Sequence, residues 1–142
     1  MNFLLDTNVV SEWAKPQPNL GVIRWMADQD EDRLFVSVIT LAELHHGMDR
    51  LAVGARRKRL EAWLDEELRE RFDGRVVPVN EDIAKAWGKL IAVSEARGKR
   101  MNLMDGFLAA TCLVFRLTLV TRDLGDFAES GCPIVSPWDT RN

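Results

Sequence analysis

Short apolar runs alternate along this chain with longer stretches whose apolar positions recur at helical spacing. Phe3-Leu4-Leu5 is the first run, closed by Asp6-Thr7-Asn8, residue types that start helices. Lys15-Pro16-Gln17-Pro18-Asn19 breaks the pattern, and a short helix is expected through Val22, Ile23 and Met26. Leu34-Phe35-Val36-Ser37 reads as a buried strand. Thr40 is then expected to open a helix that turns Leu41, Leu44, Met48 and Leu51 inward. Beyond Gly54, an amphipathic stretch carries Leu60, Trp63, Leu64 and Leu68. Val76-Val77-Pro78-Val79 predicts a third strand. Asn80 caps a helix with Ile83, Trp87, Leu90 and Ile91 on its inner face, ended by Gly98. Asn102 starts a strongly apolar helix through Phe107, Leu108 and Leu113, and Thr118-Leu119-Val120 and Ile134-Val135 are the last strands.

Short apolar strands separated by helices belong to a mainly parallel sheet covered on both faces, an α/β fold of three layers. The helical region between Thr40 and Gly74 is long for one crossover, so a helical hairpin reaching past the sheet is expected. With 142 residues and no repeat or linker, residues 1–142 read as one domain. Its 46% apolar and 29% charged residues are those of a folded chain, not a disordered one. No apolar run approaches the roughly 20 residues of a membrane helix, and the start lacks a basic leader, so a cytoplasmic protein is expected. Cys112 and Cys132 are too few for a disulfide framework or a zinc site and read as reduced thiols. Trp25, Trp63 and Trp87 fall at inward spacing and are expected in core or dimer contacts, and Met101, Met104 and Phe107 are expected to line the core.

Net charge is −3, which disfavours indiscriminate nucleic-acid binding. The placement of the acids says more. Asp6 ends the first strand, Glu43 falls in the first turn expected after the second, Asp105 in the first turn after Asn102, and Asp123 directly after Leu119-Val120. Taken singly, each is an ordinary cap: Thr40-x-x-Glu43 has the form of a capping box, Asn102-x-x-Asp105 imitates one, and Asp6 and Asp123 suit N-caps. Taken together, they share the sheet edge where strand C-termini meet helix N-termini, the edge where such folds bind ligands. Converging carboxylates repel by about 4 kcal/mol per pair at 4 Å and an effective dielectric near 20. Helix dipoles offset about 0.3–1 kcal/mol each. Protonation or a cation must offset the rest. All-oxygen ligands suit Mg2+ or Mn2+, and such a centre suits hydrolysis of a phosphodiester by an activated water.

Leu-Leu-Asp6-Thr7-Asn8-Val-Val-Ser11-Glu12, Ser37-Val-Ile-Thr40-Leu-Ala-Glu43-Leu with Gly47, Asp105-Gly-Phe-Leu-Ala-Ala-Thr and Leu-Val-Thr121-Arg122-Asp123-x-x-Asp126-Phe127 resemble the PIN-domain family, and within it the VapC-like (FitB-type) toxins. The resemblance runs from Phe3 to about Trp138. It implies an α/β/α sandwich and a Mg2+- or Mn2+-dependent endoribonuclease, the toxin of a toxin–antitoxin pair. The implied partners are RNA, a cognate antitoxin, a second copy of the chain and, with the antitoxin, operator DNA. Its acidic positions carry over to Asp6, Glu43, Asp105 and Asp123, of which Asp6, Asp105 and Asp123 are the expected metal ligands. Asp126 is a secondary acid, and Thr7, Asn8 and Thr121 are polar supports. Arg56, Arg57, Lys58 and Arg59 are candidate RNA contacts. Three departures stand out, the first being that Gly98-Lys-Arg-Met-Asn-Leu-Met precedes Asp105 where the family commonly has a proline-containing entry to the helix. Gly106 replaces a bulkier small residue, from which a less rigid Asp105 is expected, since a helical glycine costs about 1 kcal/mol against alanine. Asp123 replaces a frequent asparagine, from which tighter metal binding is expected.

The alternative is a weakly active or inactive PIN-fold binding module acting with its antitoxin in DNA-bound regulation. Other chemistries fit worse. Glu43-x-x-His46 has di-iron spacing but lacks the second such pair. A Gly-x-Ser-x-Gly elbow is missing. A phosphoacceptor receiver would need an adjacent acidic pair after the first strand, where Thr7 follows Asp6.

Overall fold

Five short strands, β1 (Phe3–Leu5), β2 (Leu34–Ser37), β3 (Val76–Val77), β4 (Thr118–Val120) and β5 (Ile134–Val135), form one sheet ordered β3-β2-β1-β4-β5, every pairing parallel. The computed structural model describes residues 1–139. Alternation along the strands builds a core on each face. Phe3, Leu5, Leu34, Val36 and Val120 point into one, with Val22, Met26, Leu44, Leu64, Leu68 and Phe72. Leu4 and Leu119 point into the other, with Leu108, Ala109, Cys112 and Phe127. The chain therefore has the three layers expected.

The helices are α1 (Thr7–Val10), α2 (Leu20–Asp28), α3 (Val38–Asp49), α4 (Ala55–Ala62), α5 (Arg69–Arg71), α6 (Glu81–Ala96), α7 (Leu103–Phe115) and α8 (Leu124–Phe127). A π-helical segment, Trp63–Leu68, joins α4 to α5. α3 and the α4–α5 stretch make the long crossover. No residue of α4 is buried, whereas Leu64, Leu68 and Phe72 return to the core. Asn19, Asn80 and Asn102 cap α2, α6 and α7 as their side chains require, Asn80 Oδ1 accepting from the Ile83 amide at 2.9 Å. Cys112 and Cys132 are free and buried. Among the described residues no helix is long and apolar enough to cross a membrane.

Several boundaries and burials differ from expectation. α3 starts at Val38, not Thr40, because Ser37 ends β2 in extended geometry and its hydroxyl accepts from the Ile39 amide at 3.0 Å. The Thr40–Glu43 capping box is therefore not formed. Glu43 lies in the second turn, and among the described residues the buried Thr40 hydroxyl has no hydrogen-bond partner. β3 stops at Val77, before Pro78, which lacks the amide to continue the ladder. Met104 does not line the core; it stands 42% exposed on the first turn of α7. Trp25 meets Phe3 edge-on at 5.0 Å, Trp63 packs partly buried on the core, and Trp87 stacks on Phe107 at 4.8 Å.

Gly106 does the opposite of loosening α7. A Cβ there would stand 2.8 Å from Ile91 Cδ1 and 3.0 Å from Trp87 Nε1, so the missing side chain is what lets α6 and α7 pack this closely. Trp87 Nε1 donates to the Leu103 carbonyl at 2.9 Å, tying α6 to the turn that carries Asp105. Gly106→Val is expected to cost about 1–3 kcal/mol through overpacking, read as a lower denaturation midpoint with an unchanged m-value.

Candidate active site

The strand order places the site. The chain passes from β1 to β2 and β3 on one side, then crosses to β4 and β5 on the other. The order reverses between β1 and β4, and ligands of open parallel sheets bind in the crevice at such a switch point. Leu5 is in register with Val120, so Asp6 and Thr121 leave the sheet side by side. The Asp6 amide donates to the Val120 carbonyl at 2.9 Å, and the Thr121 amide to that of Val135 at 3.0 Å.

Asp6 is only 5% exposed. It caps α1, Oδ1 accepting from the Thr7 amide at 2.7 Å while Oδ2 accepts from the Thr121 hydroxyl at 2.8 Å. The Thr121 hydroxyl in turn accepts from the Asp123 amide at 3.0 Å. Asn8 Nδ2 donates to Asp123 Oδ2 at 3.1 Å, and its Oδ1 accepts from the Arg122 amide at 3.3 Å. The Thr7 hydroxyl donates to Glu43 Oε1 at 2.9 Å. Three of the expected carboxylates are thus joined, through Thr7, Asn8 and Thr121, into one network across β1, α3 and the loop after β4.

Asp105 completes the group from α7, where Asn102 Oδ1 accepts from its amide at 3.2 Å. Its carboxyl is pushed up from 3.8 to about 7, first by burial, then by the charges of Asp6, Glu43, Asp126 and Asp123. Asp6 is pushed up from 3.8 to about 6, again first by burial; hydrogen bonds from Thr121 and Thr7 pull it down, and Glu43 and Asp123 push it up. Asp126, exposed on α8, is brought to Asp105 as the secondary acid. Capping does not explain the arrangement. Asp123 precedes α8 without a side-chain cap bond, and Glu43 takes a hydroxyl from another helix.

The Arg56–Arg59 run is not brought to this group. Arg57 bonds the Asp49 carboxylate and the Leu51 carbonyl, while Arg56, Lys58 and Arg59 are exposed on α4. His46 is exposed and His45 half-buried, and among the described residues neither hydrogen-bonds or ion-pairs with the carboxylates. Two features escaped the sequence reading. Glu12, 3% exposed, accepts from the Asn19 amide at 2.8 Å and pairs with Lys15, fixing the turn after α1. Lys99 and Arg100 line a cavity of about 490 Å3 whose wall includes Asp105. Their position in sequence, just before Asn102, was the available signal.

The donors fit a hard divalent cation. All are oxygens, and burial first, then the neighbouring negative charges, raise the Asp6 and Asp105 carboxyls to about 6 and about 7. Among the described residues no three ligating side chains close on one point as a finished cage. Mg2+ does not need one, since it keeps several waters and takes one or two carboxylates directly.

Residues 3–130 match the family model described as the PIN domain. The chain belongs to the PIN-domain family. The VapC ribonuclease Y4jK of Sinorhizobium fredii is 35% identical over 136 residues, 96% of this chain and 97% of that one. Toxin FitB of Neisseria gonorrhoeae is 35% identical over 135 residues, 95% and 97% of the two chains. The crystal structure of FitAcB from Neisseria gonorrhoeae superposes with a TM-score of 0.91 at 34% identity, covering 97% of this chain and 99% of that one.

In this PIN domain the raised acids make stability fall with pH. The folded state keeps protons that the unfolded chain releases near 3.8, so the stability these two groups contribute is fully present below that pH and is lost as pH rises through about 6 to 7. For the buried Asp6 alone this amounts to about 3 kcal/mol, at 1.36 kcal/mol per unit. In chelator-treated protein the thermal midpoint should drop between pH 5 and pH 8. Mg2+ or Mn2+ should raise it at pH 8 and barely at pH 5.

Proposed function

We propose that this chain is a Mg2+- or Mn2+-dependent endoribonuclease, the toxin of a toxin–antitoxin pair, acting in the cytoplasm. Residues 1–142 then form one PIN domain. The observation that carries this reading is the burial of Asp6 at the switch point together with the proton affinity it shares with Asp105. Such a site has strong reason to take up a divalent cation and, with it, a phosphodiester. The ribonuclease and toxin named among the relatives support the choice of RNA and of the toxin role.

Asp6, Asp105 and Asp123 would hold the cation. Bound there, it would neutralise the cup, draw in the scissile phosphate and acidify a water. The chain's own groups do the positioning. Thr121 fixes both Asp6 and the backbone of Asp123, Asn8 turns the Asp123 carboxylate, and Thr7 orients Glu43. We assign Glu43 and Asp105 to orienting the attacking water. The water oxygen bonds to phosphorus, the bond to the leaving ribose oxygen breaks, and the proton that the water gives up ends on that leaving oxygen.

A homodimer neutralised by its cognate antitoxin, the complex binding operator DNA, completes the proposal. Arg56, Lys58 and Arg59, exposed on α4, are proposed for sequence-independent phosphate contact. Asp6→Asn should reduce cleavage of single-stranded RNA by at least about 100-fold, the scale on which a positioned charge in a catalytic site acts. Because it removes a buried charge, it should leave the metal-free thermal midpoint at pH 8 equal or higher. Undiminished metal-dependent cleavage by this variant would refute the assignment, and an inactive wild-type chain that still binds an antitoxin and DNA would favour the binding module.

A further inference from the structure

We propose that the cavity beside Asp105 is a nucleotide subsite: Lys99 and Arg100 grip a backbone phosphate of RNA next to the cleaved bond, and that nucleotide's base and ribose enter the cavity. The inference rests on the ribonuclease reading of the neighbouring carboxylates. A cup of acids repels a polyanion, so productive binding needs cations placed beside it. Lys99 and Arg100 line a cavity together with Asp105, a member of the cup.

The cavity measures about 490 Å3, enough for one nucleotide, and its lining includes Lys99, Arg100, Asn102, Asp105, Asp126 and Glu129. Its lining carries both signs of charge, so a phosphate suits Lys99 and Arg100, and hydroxyl or amino donors suit Asp105 and Asp126. The loop is held in place. Gly98 turns the chain at φ +71°, and the Ser94 hydroxyl donates to the Lys99 carbonyl while accepting from the Met101 amide. The backbone on both sides of Arg100 is thus tied to α6, and its guanidinium makes no ion pair among the described residues. Lys99 Nζ rests on Glu129 Oε1 at 2.7 Å, both side chains at least half exposed. Exposed pairs of this kind hold weakly. A phosphate can take the lysine, and Glu129 is the resting counter-ion.

The test is fluorescence anisotropy with a short labelled single-stranded RNA of mixed sequence, in chelator-containing buffer so that no cleavage occurs. Lys99→Ala/Arg100→Ala should weaken binding and flatten the dependence of log Kd on log salt by about 0.7 for each phosphate no longer gripped. Lys85→Ala/Lys89→Ala, an equal charge loss on the exposed face of α6, should leave the slope unchanged. Glu129→Gln should tighten binding, and the gain should vanish when Lys99 is already alanine. Matching thermal midpoints show that the variants fold. The subsite is overturned if the two double variants behave alike, if the Glu129→Gln gain persists without Lys99, or if Lys99→Ala/Arg100→Ala loses affinity only for an acidic peptide. RNA binding that depends on Lys99 and Arg100 in a chain that no metal makes cleave RNA would overturn the nuclease reading and keep the subsite. Wild-type protein that binds no RNA overturns both.

Discussion

One buried negative charge organises this end of the molecule. Asp6 leaves the central strand where the sheet changes direction, and at 5% exposure its carboxylate has almost no water to solvate it. The chain supplies an amide from Thr7 and a hydroxyl from Thr121, and these do not outweigh burial, since the acid still titrates near 6. The same edge then receives more negative charge from three other elements. A fold built only for stability would place a neutral residue at Asp6, because an unpaired buried charge is among the costliest features a core can hold. Strain of this kind collects at functional sites.

The surrounding polar groups follow from that charge. Thr7 and Thr121 each face two ways, toward Asp6 and toward a second carboxylate or its backbone, and Asn8 bridges to Asp123. Capping work is given to other residues. Ser37 caps α3 and Asn102 caps α7, so Glu43 is released to the network and Asp105 to the group of charges. Gly106 serves the same end by allowing α6 to close on α7, with Trp87 holding the first turn beneath Asp105.

The strands were legible because each is a short apolar run with nothing helical in its spacing, and their parallel order follows from the helices between them. The acidic group was legible because a parallel sheet sends strand ends and helix starts to one edge. What the sequence hid were choices between neighbours of similar chemistry. Ser37 and Thr40 both suit an N-cap, and only the direct run of β2 into α3 decides for Ser37. Gly106 looked like a weak point because propensity is local, whereas its role is set by Ile91 and Trp87 on another helix. Met104 carries an apolar side chain, yet its place on the outer face of α7 leaves it exposed. The Arg56–Arg59 run drew attention by density, while Lys99 and Arg100 matter by position, which depends on where α6 ends and α7 begins.

The central claim is that the carboxylates at the switch point share an excess of negative charge that a divalent cation relieves. Site-resolved 13C NMR titration of the Asp6 and Asp105 carboxyl carbons measures it directly. The account predicts midpoints near 6 and 7 in metal-free protein, both moving well below the ordinary carboxylate value in saturating Mg2+. Midpoints near 3.8 that ignore the metal would contradict it.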